Sequence, residues 1–350
     1  MRRKSKEVKI DKIKIGGENP IAVQSMLSIP SYNIEESILQ AKRLKAAGCD
    51  ILRIAIPDLN AVKLIGEIKK NVDIPLVADI HFDYKLAVES AHAGIDKIRI
   101  NPGNIPKDHM KEITKACRER NIPIRVGINA GSLEKYLVKN ENRAEAMVKS
   151  AMDNIKILES LDFNDIVVSL KSSDVKICTD AYKIMAEKCS YPLHLGITET
   201  GTKHIGTIKS AIGIGSLLLD GIGDTIRVSL TEDPAEEVKC GIDILKSLGL
   251  RKGISFVSCP TCGRTRINLI KLAKEAEKAL ENNNSDLKIA IMGCVVNGPG
   301  EAKDADIGIA GADGMGVIFK KGKVIKTVKE EDLLSELILE VNQLTQKGMY

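Results

Sequence analysis

IPLVADIHFDYKLAVESAHAGIDKIRIN, residues 74–101, reads as strand, helix, strand. IPLVAD and DKIRIN are short runs rich in branched apolar residues, and the segment between them has helical period and stops at Gly94. Two strands joined through a helix cannot form a hairpin, so they lie parallel. The same alternation extends both ways, from Ile21 to about Leu248. IAVQSM, DILRIA, IPIRVGI, DIVVSL, LHLGIT and DTIRVSL complete a set of eight candidate strands, each followed by a segment such as NIEESILQAKRLKAAG or DPAEEVKCGIDILKSLG. Eight strands and eight helices close a (β/α)8 or TIM barrel. The glycines in AAGCD, HAGID and SLGL stand where helices should stop in a left-handed residue.

At 350 residues the chain is longer than such a barrel. After Leu248 helical pattern is confined to about Asn268–Glu281 and a closing amphipathic helix in KEEDLLSELILEVNQLTQ, with glycine-rich, short-stranded sequence between. A barrel over 1–252 and a smaller α/β domain over 253–350 are expected. GIAGADGMG has no strand-GxGxxG-helix context and reads as a turn between strands.

Composition narrows the function. With 43% hydrophobic and 28% charged residues the chain is globular, and with no Trp, four Phe and six Tyr it lacks the aromatics of a base-stacking or carbohydrate-binding surface. A net charge of +5, mixed along most segments, does not call for nucleic acid. The basic N-terminus MRRKSKEVKI leads into no apolar stretch of signal-peptide or membrane-span length, so a cytosolic (cytoplasmic) protein with no membrane partner is expected.

The active site of a (β/α)8 enzyme lies at the C-terminal ends of its strands. There this sequence places Arg53; Asp79 and His81; Arg99 and Asn101; Arg125 and Asn129; Lys171; Glu199; and Arg227 with Ser229. A lone charge at a strand end is readily a surface or salt-bridged residue. Five cations at one mouth repel one another beyond what two acids neutralise, so a strongly anionic ligand is implied, and arginine forks suit a diphosphate. Glu199 and His81 are candidates for proton transfer, with a structural role the competing reading for His81. His92, His109, His194 and His204 are read as structural or surface residues.

Eight cysteines in a reduced compartment do not suggest disulfides. Cys49, Cys117, Cys178, Cys189 and Cys240 fall in barrel helices or at their starts and are read as packing. SCPTCGR supplies Cys259 and Cys262, and GCVVNGPGEA supplies Cys294, with Asn297 and Glu301 on a tight turn beside it. A structural zinc would want a fourth Cys or His, and none follows Cys294. Three thiolates fit a 4Fe-4S cubane with one open iron position, where an oxygen ligand such as Glu301 could sit and be displaced. A redox dithiol, or a zinc site completed by another chain, is the alternative from spacing alone.

VADIHFDY, KIRINPGN, PIRVGINAGSLE, GITETG, DTIRVSLT, SCPTCGRT and NGPGEA, in this order, closely resemble the 4-hydroxy-3-methylbut-2-enyl diphosphate synthase family in its bacterial two-domain form, over nearly the whole chain. The resemblance implies an iron-sulfur oxidoreductase that reduces 2-C-methyl-D-erythritol 2,4-cyclodiphosphate to 4-hydroxy-3-methylbut-2-enyl diphosphate in the methylerythritol phosphate pathway. It implies Cys259, Cys262, Cys294 and Glu301 as cluster ligands, with Glu301 displaced by substrate oxygen. It further implies Arg53, Arg99, Arg125, Lys171, Arg227 and Ser229 as diphosphate contacts, with Asn129 and Glu199 lining the site. By the same resemblance the enzyme is a homodimer, the cluster domain of one chain closing over the barrel of the other, and flavodoxin or ferredoxin supplies electrons. The chain departs from the family after QSM, where Leu27, Ser28, Ile29 and Pro30 replace a threonine-rich segment; loss of a substrate contact there is the expectation. Two rivals remain: a redox-inactive phosphate-binding barrel of the aldolase or pterin-synthase type with a zinc appendage, and a non-catalytic cluster protein that senses iron or oxygen.

Overall fold

The computed structural model describes residues 1–80, 83–100, 105–133, 142–281, 283, 285–295 and 298–346. His81, Asn101 and Asn297 lie outside the described residues. The chain divides into two compact units, Met1–Leu248 and Gly249–Tyr350.

The first unit opens with an antiparallel hairpin, β1 (Val8–Ile10) and β2 (Ile13–Ile15), that three-residue strands left unread in the sequence. Eight parallel strands follow: β3 (Ala22–Met26), β4 (Ile51–Ala55), β5 (Leu76–Ile80), β6 (Lys97–Ile100), β7 (Ile124–Asn129), β8 (Ile166–Lys171), β9 (His194–Leu195) and β10 (Thr225–Ile226). Their order is β8-β7-β6-β5-β4-β3-β10-β9, and a bridge between Val168 and Leu193 joins β8 to β9, so the sheet is a barrel. β9 and β10 pair over two residues only. Beyond them the chain runs to Gly196 and Arg227, where Arg227 N–H still reaches Leu195 O at 2.9 Å.

Several of the barrel helices are capped by a side chain of the loop that precedes them. Asp83, Asn142, Asp174 and Asp233 accept hydrogen bonds from the backbone N–H of Lys85, Glu145, Ile177 and Ala235, relieving orphan donors of the first turns. Gly48, Gly94 and Gly249 end helices at φ +95°, +84° and +66°, as the sequence led us to expect. Outward-facing strand residues such as Leu52, Ile54, Ile98, Val126 and Leu170 pack with the helices into the main core. Inward-facing residues alternate with them. At the bottom of the barrel Ala22, Ile51, Val77 and Val167 form a separate cluster with Val8, Ile10 and Ile15, so the hairpin plugs that end.

The second unit is a two-layer α/β fold. β11 (Ser255–Ser258), β12 (Lys288–Met292) and β13 (Ile307–Ala312) are parallel, and β14 (Met315–Lys320) and β15 (Lys323–Lys329) continue the sheet antiparallel. Helices Leu269–Ala279 and Leu333–Gln346 bury Leu272, Ala276, Leu337 and Val341 with Ile289, Ile291, Ile307 and Ile309. GIAGADGMG is the β13–β14 hairpin, closed between Ala312 and Met315 with Gly314 at φ +68°, and so a turn between strands. Among the described residues, no helix is long and apolar enough to cross a membrane.

Candidate active site

The upper interior of the barrel is charged where most barrels are aliphatic. Arg53, Asp79, Lys97, Arg99, Arg125 and Lys171 are all buried. Asp79 joins two of them: its Oδ2 lies 2.5 Å from Arg53 Nη2 and its Oδ1 3.0 Å from Arg99 Nη1. Arg227 is paired more loosely, with Nη2 3.6 Å from Glu237 Oε2, while Glu237 also accepts the Leu230 N–H. Arg125, only 1% exposed, donates through Nη1 to Gln24 Oε1 at 3.3 Å.

Two glycines make room for this set. A β-carbon at Gly127 of β7 would stand 2.7 Å from Arg99 Nε, and one at Gly196 would stand 2.7 Å from Arg227 O and 3.0 Å from Lys171 Nζ. Arg99 and Lys171 therefore lie across strands that have no side chain at the crossing.

Six basic side chains, Arg53, Lys97, Arg99, Arg125, Lys171 and Arg227, thus answer to two buried carboxylates, Asp79 and Glu237, among the described residues. The electrostatic consequence is strong. Burial, and then the neighbouring arginines, push Lys171 and Arg125 well below their usual ranges, and burial also lowers Arg99 and Arg227 against the opposing pull of Asp79 and Glu237. The Nε–H groups of Arg53, Arg125 and Arg227 are buried with no hydrogen-bond acceptor among the described residues. Such donors are costly to leave unmet and suit an anion held between them.

The other expected residues sit around this set. Asn129 ends β7 level with Lys171, and Ser229 lies two residues beyond Arg227, its carbonyl accepting from the Thr200 hydroxyl. Glu199 is exposed beyond β9 with φ +54°, a left-handed conformation unusual for glutamate. Its neighbours hold it there: Thr198 N–H donates to Ser172 O, and Gly201 O accepts from Thr231 N–H. Leu27, by contrast, is buried in the core between strands and helices, and Ser28 is tied to Gln40 by its N–H at 3.0 Å and its hydroxyl at 2.7 Å. The Leu27 side chain therefore packs away from the interior cations.

Lys97, Gln24, Ser169, His194 and Thr225 were missed as members of this interior. All five are buried. The signal was present: Lys97 precedes Arg99 by two in KIRI, so period-two alternation puts both on one face. His194 is fully buried with Nδ1 2.8 Å from Thr225 Oγ1, and burial keeps it neutral. Tyr84 stacks on His109 with centroids 3.8 Å apart.

In the second unit, Cys259 follows β11 and Cys294 follows β12, the adjacent parallel strand, so both leave the carboxyl edge of the sheet. Gly293 N–H donates to Cys259 Sγ at 3.1 Å, and Arg266 N–H to Gly293 O at 2.9 Å, which ties the SCPTCGRT loop to the Cys294 loop. Cys262 is exposed on the turn closed by Thr265, and hydrogen bonding from the Arg264 backbone lowers its thiol pKa. Glu301 ends the helical turn Gly298–Glu301. All eight cysteines are free; Cys49, Cys117, Cys178 and Cys240 are buried and Cys189 is partly so. Among the described residues, no three His, Cys, Asp or Glu side chains stand close enough together to hold a metal ion. The donors nonetheless fit an iron-sulfur group in kind: soft thiols on tied loops, one sulfur already receiving a backbone N–H, one thiol with a lowered pKa.

Residues 5–242 match the family model described as the GcpE TIM-barrel domain, and residues 255–343 that of the GcpE protein C-terminal domain. Among curated proteins, the 4-hydroxy-3-methylbut-2-en-1-yl diphosphate synthase (flavodoxin) of Caldanaerobacter subterraneus subsp. tengcongensis is 57% identical over 351 residues, covering 99% of each chain. The protein of the same description from Clostridium acetobutylicum is 54% identical over 347 residues, covering 98% of this chain and 99% of that one. Among solved structures, dihydropteroate synthase from Stenotrophomonas maltophilia aligns with a TM-score of 0.55 at 12% identity, covering 70% of this chain and 97% of that one. The Yersinia pestis enzyme aligns at 0.51 and 13%, covering 69% and 98%. At such identities these structures share the barrel fold and nothing more.

Proposed function

Because the chain belongs to the GcpE family, we propose that it is a 4-hydroxy-3-methylbut-2-enyl diphosphate synthase, reducing 2-C-methyl-D-erythritol 2,4-cyclodiphosphate to the linear hydroxymethylbutenyl diphosphate with opening of the ring and loss of water. The observation that carries the reading is the set of six interior basic side chains against two carboxylates, with three arginine Nε–H groups lacking acceptors among the described residues. A diphosphate supplies the missing negative charge and the missing acceptors.

In this reading the barrel, residues 1–252, binds substrate. Arg53, Arg99, Arg125, Lys171 and Arg227 take the phosphoryl oxygens, while Asn129 and Ser229 orient the carbon skeleton. Charge held in a preformed, dry site needs little rearrangement when the ligand enters. Glu199 is the candidate proton carrier among the described residues, its strained backbone fixing where the carboxyl can reach; His81 shares that candidacy.

Residues 253–350 are the cluster domain, with Cys259, Cys262, Cys294 and Glu301 holding a 4Fe-4S group. When bound, that group would relay to the substrate, one at a time, the two electrons of the reduction. The thiols' part is to anchor it, and the Gly293 N–H to Cys259 Sγ steadies one sulfur. Reduced flavodoxin, named in the description of the relatives, is the donor we favour, with ferredoxin the alternative of the same kind. The working form is a homodimer in the cytoplasm, where thiols stay reduced.

Anaerobic turnover tests this. Reconstituted protein with iron and sulfide quantified in the same sample is given the cyclic diphosphate and a low-potential reductant, and products are read by mass spectrometry. Linear hydroxymethylbutenyl diphosphate is expected; cluster-loaded protein that consumes no substrate would overturn the assignment.

A further inference from the structure

Below the mouth the barrel interior continues as a polar layer, one member of which, Lys97, has no part in the proposed chemistry. Lys97 points inward from β6, is fully buried, and its Nζ has no hydrogen-bond partner among the described residues. Arg125 and His194 share the layer, and each leaves one buried ring or guanidinium nitrogen without a partner there. The plug beneath is apolar: Val8, Ile10 and Ile15.

The charged and titratable groups that share the barrel interior with Lys97 are Arg53 from β4, Asp79 from β5, Arg99 on its own strand, Arg125 from β7, Lys171 from β8, His194 from β9 and, beyond β10, Arg227, with Arg125, Arg53 and His194 the ones that feel it directly. Asp79 is the one acid among these groups, and Arg53 and Arg99 already hold both its oxygens. An ammonium at Lys97 would therefore be dry, surrounded by cations and without an acceptor, which is far costlier than a neutral amine. Guanidinium groups keep their protons, and His194 is already neutral, so the layer can shed charge only through its lysines. Lys97 is the deeper of the two, and burial, then Arg125 and Arg53, push its pKa well below the usual ammonium range.

We propose that Lys97 is an uncharged amine in the empty barrel and takes a proton from solvent when a diphosphate enters the mouth, so that anion binding and proton uptake are one event. The inference rests on the mouth being a diphosphate site. Lys97 touches neither ligand nor reacting atoms; it is a positioning residue that matches the charge of the barrel floor to that of the ligand. The ligand's negative charges offset the surrounding cations, and the amine's lone pair takes the proton with no bond in the ligand altered. The sign follows directly: uptake is greatest where the empty-state lysine is neutral, and disappears as pH falls through its lowered pKa.

Titration calorimetry of the full chain with the cyclic diphosphate, at mildly alkaline pH and in two buffers of contrasting ionisation enthalpy, counts the protons. Each phosphorus of that ligand carries one strongly acidic oxygen, so protons taken up near neutrality belong to the protein. The wild type should take up at least about one proton per site, and Lys97→Met about one fewer while still binding. Methionine fills a similar volume and needs no proton, so this variant should melt no lower than wild type. Equal proton counts in the two proteins, or no uptake by the wild type, would overturn the inference, the second without any variant. If no buffer gives any binding heat, the diphosphate reading itself fails, and this inference with it.

Discussion

Replacing Asp79 by Asn removes the one carboxylate that Arg53 and Arg99 share while keeping its shape. The side chain is 2% exposed, so both guanidinium groups lose a buried counter-charge. Breaking a buried ion pair by removing one partner costs about 3–5 kcal/mol. For a domain of this size that is roughly 6–20 °C in the melting temperature of the barrel. Affinity should move the other way, because the ligand no longer competes with Asp79 for two arginines. One negative charge removed at ~8 Å from a bound phosphoryl, with an effective dielectric constant of about 20, is worth about 2 kcal/mol per ligand charge, or roughly thirtyfold in Kd. Differential scanning calorimetry with and without the cyclic diphosphate reads both effects. The variant should melt well below wild type when empty and gain more from saturating ligand. A variant that melts within a degree or so of wild type, or that binds the cyclic diphosphate more weakly, would show that Asp79 does not hold this charge balance.

Three further outcomes follow from particular contacts. Gly196→Ala places a β-carbon 2.7 Å from Arg227 O and 3.0 Å from Lys171 Nζ, so Lys171 must move; calorimetry should show anion affinity lowered by about tenfold or more, with overpacking costing about 1–3 kcal/mol of stability. Leu27→Thr puts a hydroxyl into the core; thermal melts should show a loss of about 1–3 kcal/mol, and titration an unchanged Kd, since that side chain packs away from the interior cations. Cys262→Ala removes an exposed thiol whose pKa is lowered by hydrogen bonding from the Arg264 backbone; after reconstitution, iron analysis should fall clearly below the roughly four irons per chain of a complete cubane, with the melting of the barrel unmoved.

The barrel was legible because its signals are local. A strand of branched residues followed by a segment of helical period repeats from Ile21 onward, in places with a glycine stop, and each can be read without knowing what it touches. The charges at the strand ends were legible for the same reason, since strand polarity places them at one mouth. Less legible was whatever depends on partners distant in sequence. The hairpin Val8–Ile15 has strands of three residues and is stable only as a plug against Ala22, Ile51, Val77 and Val167. Leu27 looked like a lost substrate contact because its loop follows a barrel strand; alternation from Gln24 inward to Leu27 outward turns it into the core. Lys97 was overlooked because an interior lysine contradicts the expectation of an aliphatic barrel, although KIRI carries the parity that places it there.

That a barrel can keep so many charges inside follows from how its apolar contacts are divided. The main core lies between the strands and the helices, where residues such as Leu52, Ile54, Ile98, Val126 and Leu170 are fully buried. The interior contributes a second, small apolar cluster, sealed by the hairpin at the end opposite the mouth. Hydrophobic stabilisation scales with area removed from water, and most of that area lies outside the sheet. The interior above the plug is therefore released from packing duty, but at an electrostatic cost that two carboxylates do not meet. Gly127 and Gly196 fit the same logic, giving up side-chain packing so that Arg99 and Lys171 can lie across neighbouring strands. An interior so arranged is less stable empty than filled, and binding energy from an anion goes into a charge balance that folding leaves incomplete.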